Sequence, residues 1–187
     1  DYMYKRSLQE DAKTTAKFSS IVIETSKESG VSYTLKHFPG YGNNIDTHSG
    51  SSIDTRTKEE IENNDILPFK SGIKSKAEAI LFSHNIVTSM DKNNPASLSK
   101  TLHDYLRNDL NFSGVIITDD LDMGAVKNIE NKNVLSLLAG NDLLISTDYE
   151  ESIKEIRNAI DNNTLDQETL DEHVLRVLAW KYYKKLL

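Results

Sequence analysis

The stretch Gly114-Val115-Ile116-Ile117-Thr118-Asp119-Asp120 constrains the chain most. A short, unbroken apolar run of β-branched residues reads as a strand covered on both faces, which is the habit of parallel sheets. The same strand then runs straight into two carboxylates. Its surroundings supply the elements such a strand requires. Residues 11–29 read as a helix stopped by Gly30, and residues 31–35 as a short strand. A loop rich in Gly, Asn, Ser and Asp covers 38–56. Thr57 and Glu60 have capping-box spacing, and a second helical piece covers 66–72. Residues 77–83 read as a strand. An amphipathic helix over 97–110 places Leu98, Leu102, Tyr105, Leu106 and Leu110 on one face. A short helix over 134–139 ends at Gly140, and residues 142–146 form the fourth strand. Asp148 and Glu151 mark a further helix start, and helices fill 149–162 and 167–186.

Four strands alternating with helices predict an α/β fold with a parallel sheet. Right-handed crossovers leave a doubly wound sheet or a barrel. A full (β/α)8 barrel takes about 250 residues. The 187 residues here, one domain with no internal repeat, supply four βα units, or half of one. In either architecture chemistry collects at the carboxyl ends of strands. Those ends hold Lys36 and His37, His84 and Asn85, Asp119 and Asp120, and Thr147 and Asp148.

Composition removes several classes of function. Net charge is -7 with pI near 5.2, and no basic stripe is interleaved with aromatics, so nucleic acid is not expected as a partner. No apolar run approaches the ~20 residues of a membrane span. The absence of cysteine excludes disulfides, thiolate catalysis and cysteine metal sites. The start, Asp1-Tyr2-Met3-Tyr4, carries neither initiator Met nor signal-peptide pattern and reads as internal to a longer protein. Any export signal would lie upstream, so the compartment stays open. Gly40-Tyr41-Gly42 lacks the endings of a phosphate loop. A metal site from His37, Asp46, His48 and Asp119 has no helical His pair behind it, and neither metal nor cofactor is expected.

The second informative stretch is Lys36-His37-Phe38-Pro39-Gly40-Tyr41-Gly42 followed by Asp46-Thr47-His48. Plain readings compete at every position. Asp119 and Asp120 fit the cap of a following helix as well as a catalytic site. Asp46 and His48 fit turn polarity, and Lys36 and Arg6 fit ordinary surface cations. His84 reads as a hydrogen-bonded core or rim histidine, and His103 and His173 are given no function. Trp180, Tyr182 and Tyr183 read as packing in the last helix. Tyr41 either stacks on a ligand or fills the loop.

Taken together and in order, these motifs resemble the catalytic barrel domain of glycoside hydrolase family 3. The match runs through Arg6-Ser7, the Lys36–Gly42 loop, Asp46-Thr47-His48, Pro95-Ala96-Ser97-Leu98-Ser99, and Gly114 through Asp120 with Met123. The lysine-histidine loop followed by Asp-x-His is similar to the β-N-acetylhexosaminidase branch. The resemblance covers the whole chain and implies retaining removal of terminal β-linked N-acetylhexosamine from a carbohydrate substrate, with cell-wall-derived sugars fitting the family. It makes Asp119 the nucleophile, His48 the general acid/base and Asp46 its orienting partner. Arg6, Lys36 and His37 match sugar-binding positions. Tyr41 stands where many members have His, and Thr47 where many have Ser. Members have further βα units before the position matching Arg6, so residues 1–187 would be strands five to eight of the barrel.

The chemistry agrees with that assignment. Retention requires a nucleophile beneath the anomeric carbon and a proton donor at the leaving oxygen. An imidazole titrates near neutrality and serves both proton-transfer steps. The glycine- and asparagine-rich loop is expected to swing His48 into place. Alternatives are phosphorolysis, a metal-dependent hydrolase, or an inactive half-barrel serving as a carbohydrate-binding or assembly module. Half a barrel leaves two sheet edges, which predicts self-association or pairing with the missing amino-terminal half.

Overall fold

The computed structural model describes residues 3–27 and 29–187. Asp1, Tyr2 and Glu28, which include the chain start and one residue of the helix expected over 11–29, lie outside the described residues. In chain order the elements are α1 (Ala12–Ser26), β1 (Thr34–Phe38), β2 (Ile53–Asp54), α2 (Lys58–Asn63), α3 (Ile66–Lys74), β3 (Ala79–Phe82) and β4 (Ile86–Val87). They continue with α4 (Lys100–Asp104), β5 (Val115–Asp120), α5 (Lys132–Ala139), β6 (Leu143–Ile145), α6 (Tyr149–Asp161) and α7 (Gln167–Tyr183). The expected capping box is present: Thr57 Oγ1 accepts from Glu60 N, and Glu60 Oε2 accepts from Thr57 N at 2.7 Å.

Among the described residues the main sheet has four strands in the order β1-β3-β5-β6, each pair parallel. The order never reverses. A doubly wound sheet needs a reversal, so the topology is that of a singly wound, barrel-type sheet. A second, two-residue parallel pair, β2 with β4, joins the loops beyond β1 and β3. Such short pairs leave no periodicity to read.

The two faces of the sheet differ. Leu35, Ile80 and Ile116 share one register row and face the core built with Ile61, Ile66, Phe69, Leu102 and Leu106. The next row, Lys36, Leu81, Ile117 and Leu143, is half-buried or exposed throughout. Alternation along a strand then puts Asp119, two residues beyond Ile117, on that second face.

Three sequence expectations are displaced. The strand expected over 31–35 lies at Thr34–Phe38 because fully buried Phe38 packs on Phe69 and Phe82, while Val31 and Tyr33 stay exposed. The helix expected over 97–110 is broken. A 3-10 turn at Ala96–Leu98 gives way to α4 where the Ser99 hydroxyl caps Leu102 N, and a π turn at Tyr105–Asp109 follows. In α7, Trp180 Nε1 donates to Glu78, but Tyr182 and Tyr183 are exposed and pack little.

At the amino ends of the strands, the buried Asp142 carboxylate accepts from Ile116 N, Arg107 and His173 at 2.8 Å each, and also pairs with Arg176. Burial raises its pKa, but the His173 and Ile116 hydrogen bonds and the two guanidiniums outweigh burial and hold it below the usual carboxylate range. This network ties α7 to β5 and β6 at the edge opposite the candidate site.

Candidate active site

The buried ring of Phe38 fixes the end of β1. The register slips between Lys36 and Phe38, so His37 occupies an irregular position against β3. Irregularities of this kind re-aim a side chain. His37 is buried, and its Nε2 stands 3.8 Å from Asp119 Oδ2. That distance is too long for a hydrogen bond. Burial pushes the imidazole down to about 4; Asp119 pulls the other way, and the charges of Lys36 and Arg6 add to the burial effect. Proximity alone would count the contact as an ion pair, yet a ring titrating so low is neutral at pH 7. Its Nδ1 is buried and has no hydrogen-bond partner among the described residues. Arg6, Lys36 and His37 line one cleft of about 320 Å³ with Met3. The structure therefore brings the expected sugar-binding trio together.

Asp119 and Asp120 are the last residues of β5, and the next helix begins only at Lys132. The helix-cap reading of the pair fails. Asp119 Oδ1 accepts from Asp120 N at 3.0 Å, and its side chain is 21% exposed, open to a ligand on the uncovered face. His84 holds this strand end in place. Its Nε2 donates to the Asp120 carbonyl at 2.9 Å, and its Nδ1 accepts from the Ser97 hydroxyl at 2.7 Å. Burial lowers its pKa, which suits that neutral tautomer. Asp122 braces the following turn by accepting from Lys132 Nζ at 2.8 Å and from Thr147 N and Oγ1 at 2.7 Å each.

The Asp46–His48 pair forms at the far end of the loop. His48 Nδ1 donates to Asp46 Oδ1 at 2.6 Å, and the two side chains are 60% and 38% exposed. The backbone around them is fastened. Gly124 N donates to the His48 carbonyl at 2.9 Å and Ala125 N to the Thr47 carbonyl at 3.1 Å, docking the loop on the turn after β5. A Cβ at Gly124 would meet the His48 carbonyl oxygen at 2.7 Å, so the close approach needs glycine. Thr47 is fully buried. Its backbone N donates to Tyr41 Oη at 3.0 Å, and its hydroxyl bonds the same atom at 2.8 Å. Tyr41 is thus a buried loop fastener, not a stacking platform. The two positions where the resemblance departs from many members touch each other.

Backbone docking brings the His48 loop against the turn that follows Asp119. Asp119's partners are Asp120 N and, at longer range, His37. The expected loop swing meets these fasteners, and Asn43 and Ile45 stand exposed on either side of Asn44, which bonds the Tyr41 carbonyl.

A lysine-histidine strand end, a docked Asp-x-His loop and an aspartate closing a parallel strand now share one end of a singly wound sheet. A family model described as the glycosyl hydrolase family 3 N-terminal domain matches residues 3–180. The chain belongs to glycosyl hydrolase family 3. Its fold is of the (β/α)8 barrel type, with this chain supplying four βα units. Among its relatives, a beta-hexosaminidase of Actinobacillus pleuropneumoniae serotype 5b (strain L20) is 36% identical over 160 residues, covering 83% of this chain and 46% of that protein. The chain thus spans about half the length of the curated relatives it matches. A glycoside hydrolase family 3 beta-N-acetylglucosaminidase from Paenibacillus sp. str. FPU-7 superposes with a TM-score of 0.90 at 27% identity, covering 96% of this chain and 36% of that one. Beta-glucoside phosphorylase BglX superposes with a TM-score of 0.88 at 26% identity, covering 95% of this chain and 35% of that one.

Sequence reasoning missed one part of this family 3 site. The Arg56 guanidinium bridges two carboxylates, with Nη2 and Nη1 donating at 2.7 Å to Asp54 and Asp65 respectively. Its sequence signal was the Asp54-x-Arg56 spacing directly before the Thr57 cap. Among the described residues no group of three or more His, Asp or Glu side chains is arranged to hold a metal ion.

Buried neutral histidines make stability depend on pH. His103 is stacked on Phe82 at 4.0 Å with Nδ1 donating to the Ser99 carbonyl, and burial pushes it, like His37, down to about 4. Both bind a proton more weakly folded than unfolded, where histidine titrates near 6.5. The stability these two rings contribute is therefore full above pH 6.5 and is lost as pH drops from there toward 4, on the order of 3 kcal/mol for each ring. Thermal midpoints measured across that window should fall steadily, and His103→Asn should flatten the slope; a midpoint unchanged between pH 6.5 and 4.5 would contradict the burial argument.

Proposed function

We propose that this chain carries the nucleophile and the proton-transfer pair of a retaining β-N-acetylhexosaminidase. The observation that carries the reading is Asp119 at the end of β5, 3.8 Å from His37 of the Arg6–Lys36–His37 cleft, with the Asp46–His48 pair docked on the turn that follows. In the first step an Asp119 oxygen attacks the anomeric carbon while the bond to the leaving oxygen breaks. His48 Nε2 gives its proton to that oxygen, and Asp46 holds Nδ1–H and balances the ring's charge. In the second step His48 takes a proton from water, the water oxygen bonds the anomeric carbon, and Asp119 is released as carboxylate. Lys36 and Arg6 donate to sugar hydroxyls, each bond contributing roughly 1.5–3 kcal/mol. Neutral His37 fills the space beside Asp119 without competing for its charge. Names of relatives support the substrate class: beta-hexosaminidase for the curated relative and beta-N-acetylglucosaminidase for the solved structure.

A second reading is phosphorolysis. The solved structure named as a phosphorylase favours it, and an imidazole acid/base, unlike a carboxylate, does not repel phosphate. One experiment separates the two. Proton NMR of the product formed from an aryl N-acetyl-β-glucosaminide, with and without phosphate, should show the β-hemiacetal first and no sugar phosphate. Asp119→Asn should lower kcat/KM on the order of 10⁴-fold or more. An α-hemiacetal first would overturn retention, and a sugar phosphate as main product would replace hydrolysis by phosphate transfer.

We also place residues 1–187, as one domain, in the carboxyl-terminal half of the barrel, strands five to eight. Two features support this. The chain matches 46% of a relative's length, and the Lys36–Leu81–Ile117–Leu143 row lies uncovered on what would be the barrel's inner face. Half-buried Leu81, Ile117 and Leu143 on this face, together with edge strands β1 and β6, favour association, either with the other half-barrel or with a second copy. The isolated chain should run as a dimer or larger in light scattering; a monomer at high concentration would contradict this.

A further inference from the structure

We infer that Arg56, gripped between Asp54 and Asp65, is a positioning residue for proton transfer. It sets the loop that joins the sugar-binding strand end to the Asp46–His48 pair. The inference rests on the reading of His48 as acid/base and adds a residue group to it.

The geometry carries the argument. Arg56 Nε donates to Asp54 Oδ1 at 3.0 Å and Nη2 to Asp54 Oδ2 at 2.7 Å; on its other side Nη1 reaches Asp65 Oδ2 at 2.7 Å and Nη2 reaches Asp65 Oδ1 at 3.1 Å. This two-sided fork is a shape that a guanidinium makes and an ammonium does not. The Asp54 side chain is 2% exposed, so the group is an internal brace, not a surface ion pair. Burial raises the Asp54 pKa, but bonds from Arg56 and a contact from Asn44 in the loop outweigh it and keep the carboxylate ionised.

The loop backbone lies directly on this brace. A Cβ added at Gly40 would fall 2.3 Å from the Asp65 side chain, and one at Gly42 2.6 Å from Arg56 Nη2. Both glycines have positive φ, +135° and +55°. The glycines of the lysine-histidine loop are therefore explained by the clamp beneath them as much as by any ligand above. From Gly42 the loop passes through Asn44, whose side chain donates to the Tyr41 carbonyl at 2.9 Å, to Asp46 and His48. Position is thus passed from Arg56 to the exposed imidazole along a few residues. The clamp, α2 and α3 are themselves fixed, since Thr57 caps α2 and Asp65 immediately precedes α3. Among the described residues no hydrogen bond or ion pair joins the clamp to Asp119.

That separation gives the test. A group that positions only the proton donor matters where the leaving oxygen needs a proton, and matters little where it departs unaided. In the full-length protein, kcat/KM is measured for Arg56→Lys and for Gly42→Ala, which disturbs the clamp from the loop side without removing a charge. The substrates are methyl and 2,4-dinitrophenyl N-acetyl-β-glucosaminides, with His48→Ala run in parallel. We expect each clamp variant to lose about 10²-fold on the methyl glycoside, the scale of a misplaced proton donor, and less than about threefold on the dinitrophenyl one. Equal losses on both substrates, or no loss on either, would overturn the inference while His48→Ala keeps its leaving-group dependence. If His48→Ala itself shows no such dependence, the acid/base reading falls and this inference falls with it. Gly42→Ala decides the matter should Arg56→Lys fail to fold.

Discussion

Parity along β5 governs the whole arrangement. Ile116 must be buried against the helices, because the row Leu35–Ile80–Ile116 is the sheet's contribution to the core. Side chains alternate with a period of two, so burying Ile116 forces Ile117 and Asp119 onto the opposite face. A slip of one residue would bury the Asp119 carboxylate and expose the isoleucine. Parallel pairing with β3 holds the register through fully buried Thr118, β6 pairs at Ile117 and again, after a slip, at Asp120, and the His84 bond to the Asp120 carbonyl fixes the end. The carboxylate is thus presented by hydrophobic burial three residues upstream.

Charge is distributed around that carboxylate in layers. The nearest ring, His37, is kept neutral by burial. Cations that suit a sugar's hydroxyls, Lys36 and Arg6, line the cleft beyond it. The imidazole suited to moving protons sits apart, exposed, with its own carboxylate at 2.6 Å. In the proposed reaction one residue type therefore takes two roles, decided by solvent access. The backbone bonds from Gly124 and Ala125 keep the two parts of the site in one place.

Much of this was legible in the residues. The capping box at Thr57 and Glu60 and the apolar run at Val115–Thr118 rest on local chemistry, and the structure repeats them. The strand at Thr34–Phe38 was misplaced by three residues because tertiary burial of Phe38 outweighs the β-propensity of Val31 and Tyr33. The break in the helix expected over 97–110 turns on the Ser99 hydroxyl choosing to cap, which periodicity does not reveal. Tyr41 and Thr47 both stand out in the sequence as departures from the family pattern, but that they bond each other is a fact of three-dimensional proximity. The Arg56 clamp escaped for the same reason: Asp54, Arg56 and Asp65 each have a local excuse, as turn, surface cation and helix-start acid.

The central claim is that Asp119 attacks the sugar. Reaction with a fluorinated N-acetylglucosamine analogue that stalls the glycosyl-enzyme, followed by peptide mapping in a mass spectrometer, addresses it directly. The account predicts one label, on Asp119, and none on Asp46, Asp120 or Asp122. A label on another carboxylate, or turnover with no trapped sugar at all, would contradict it.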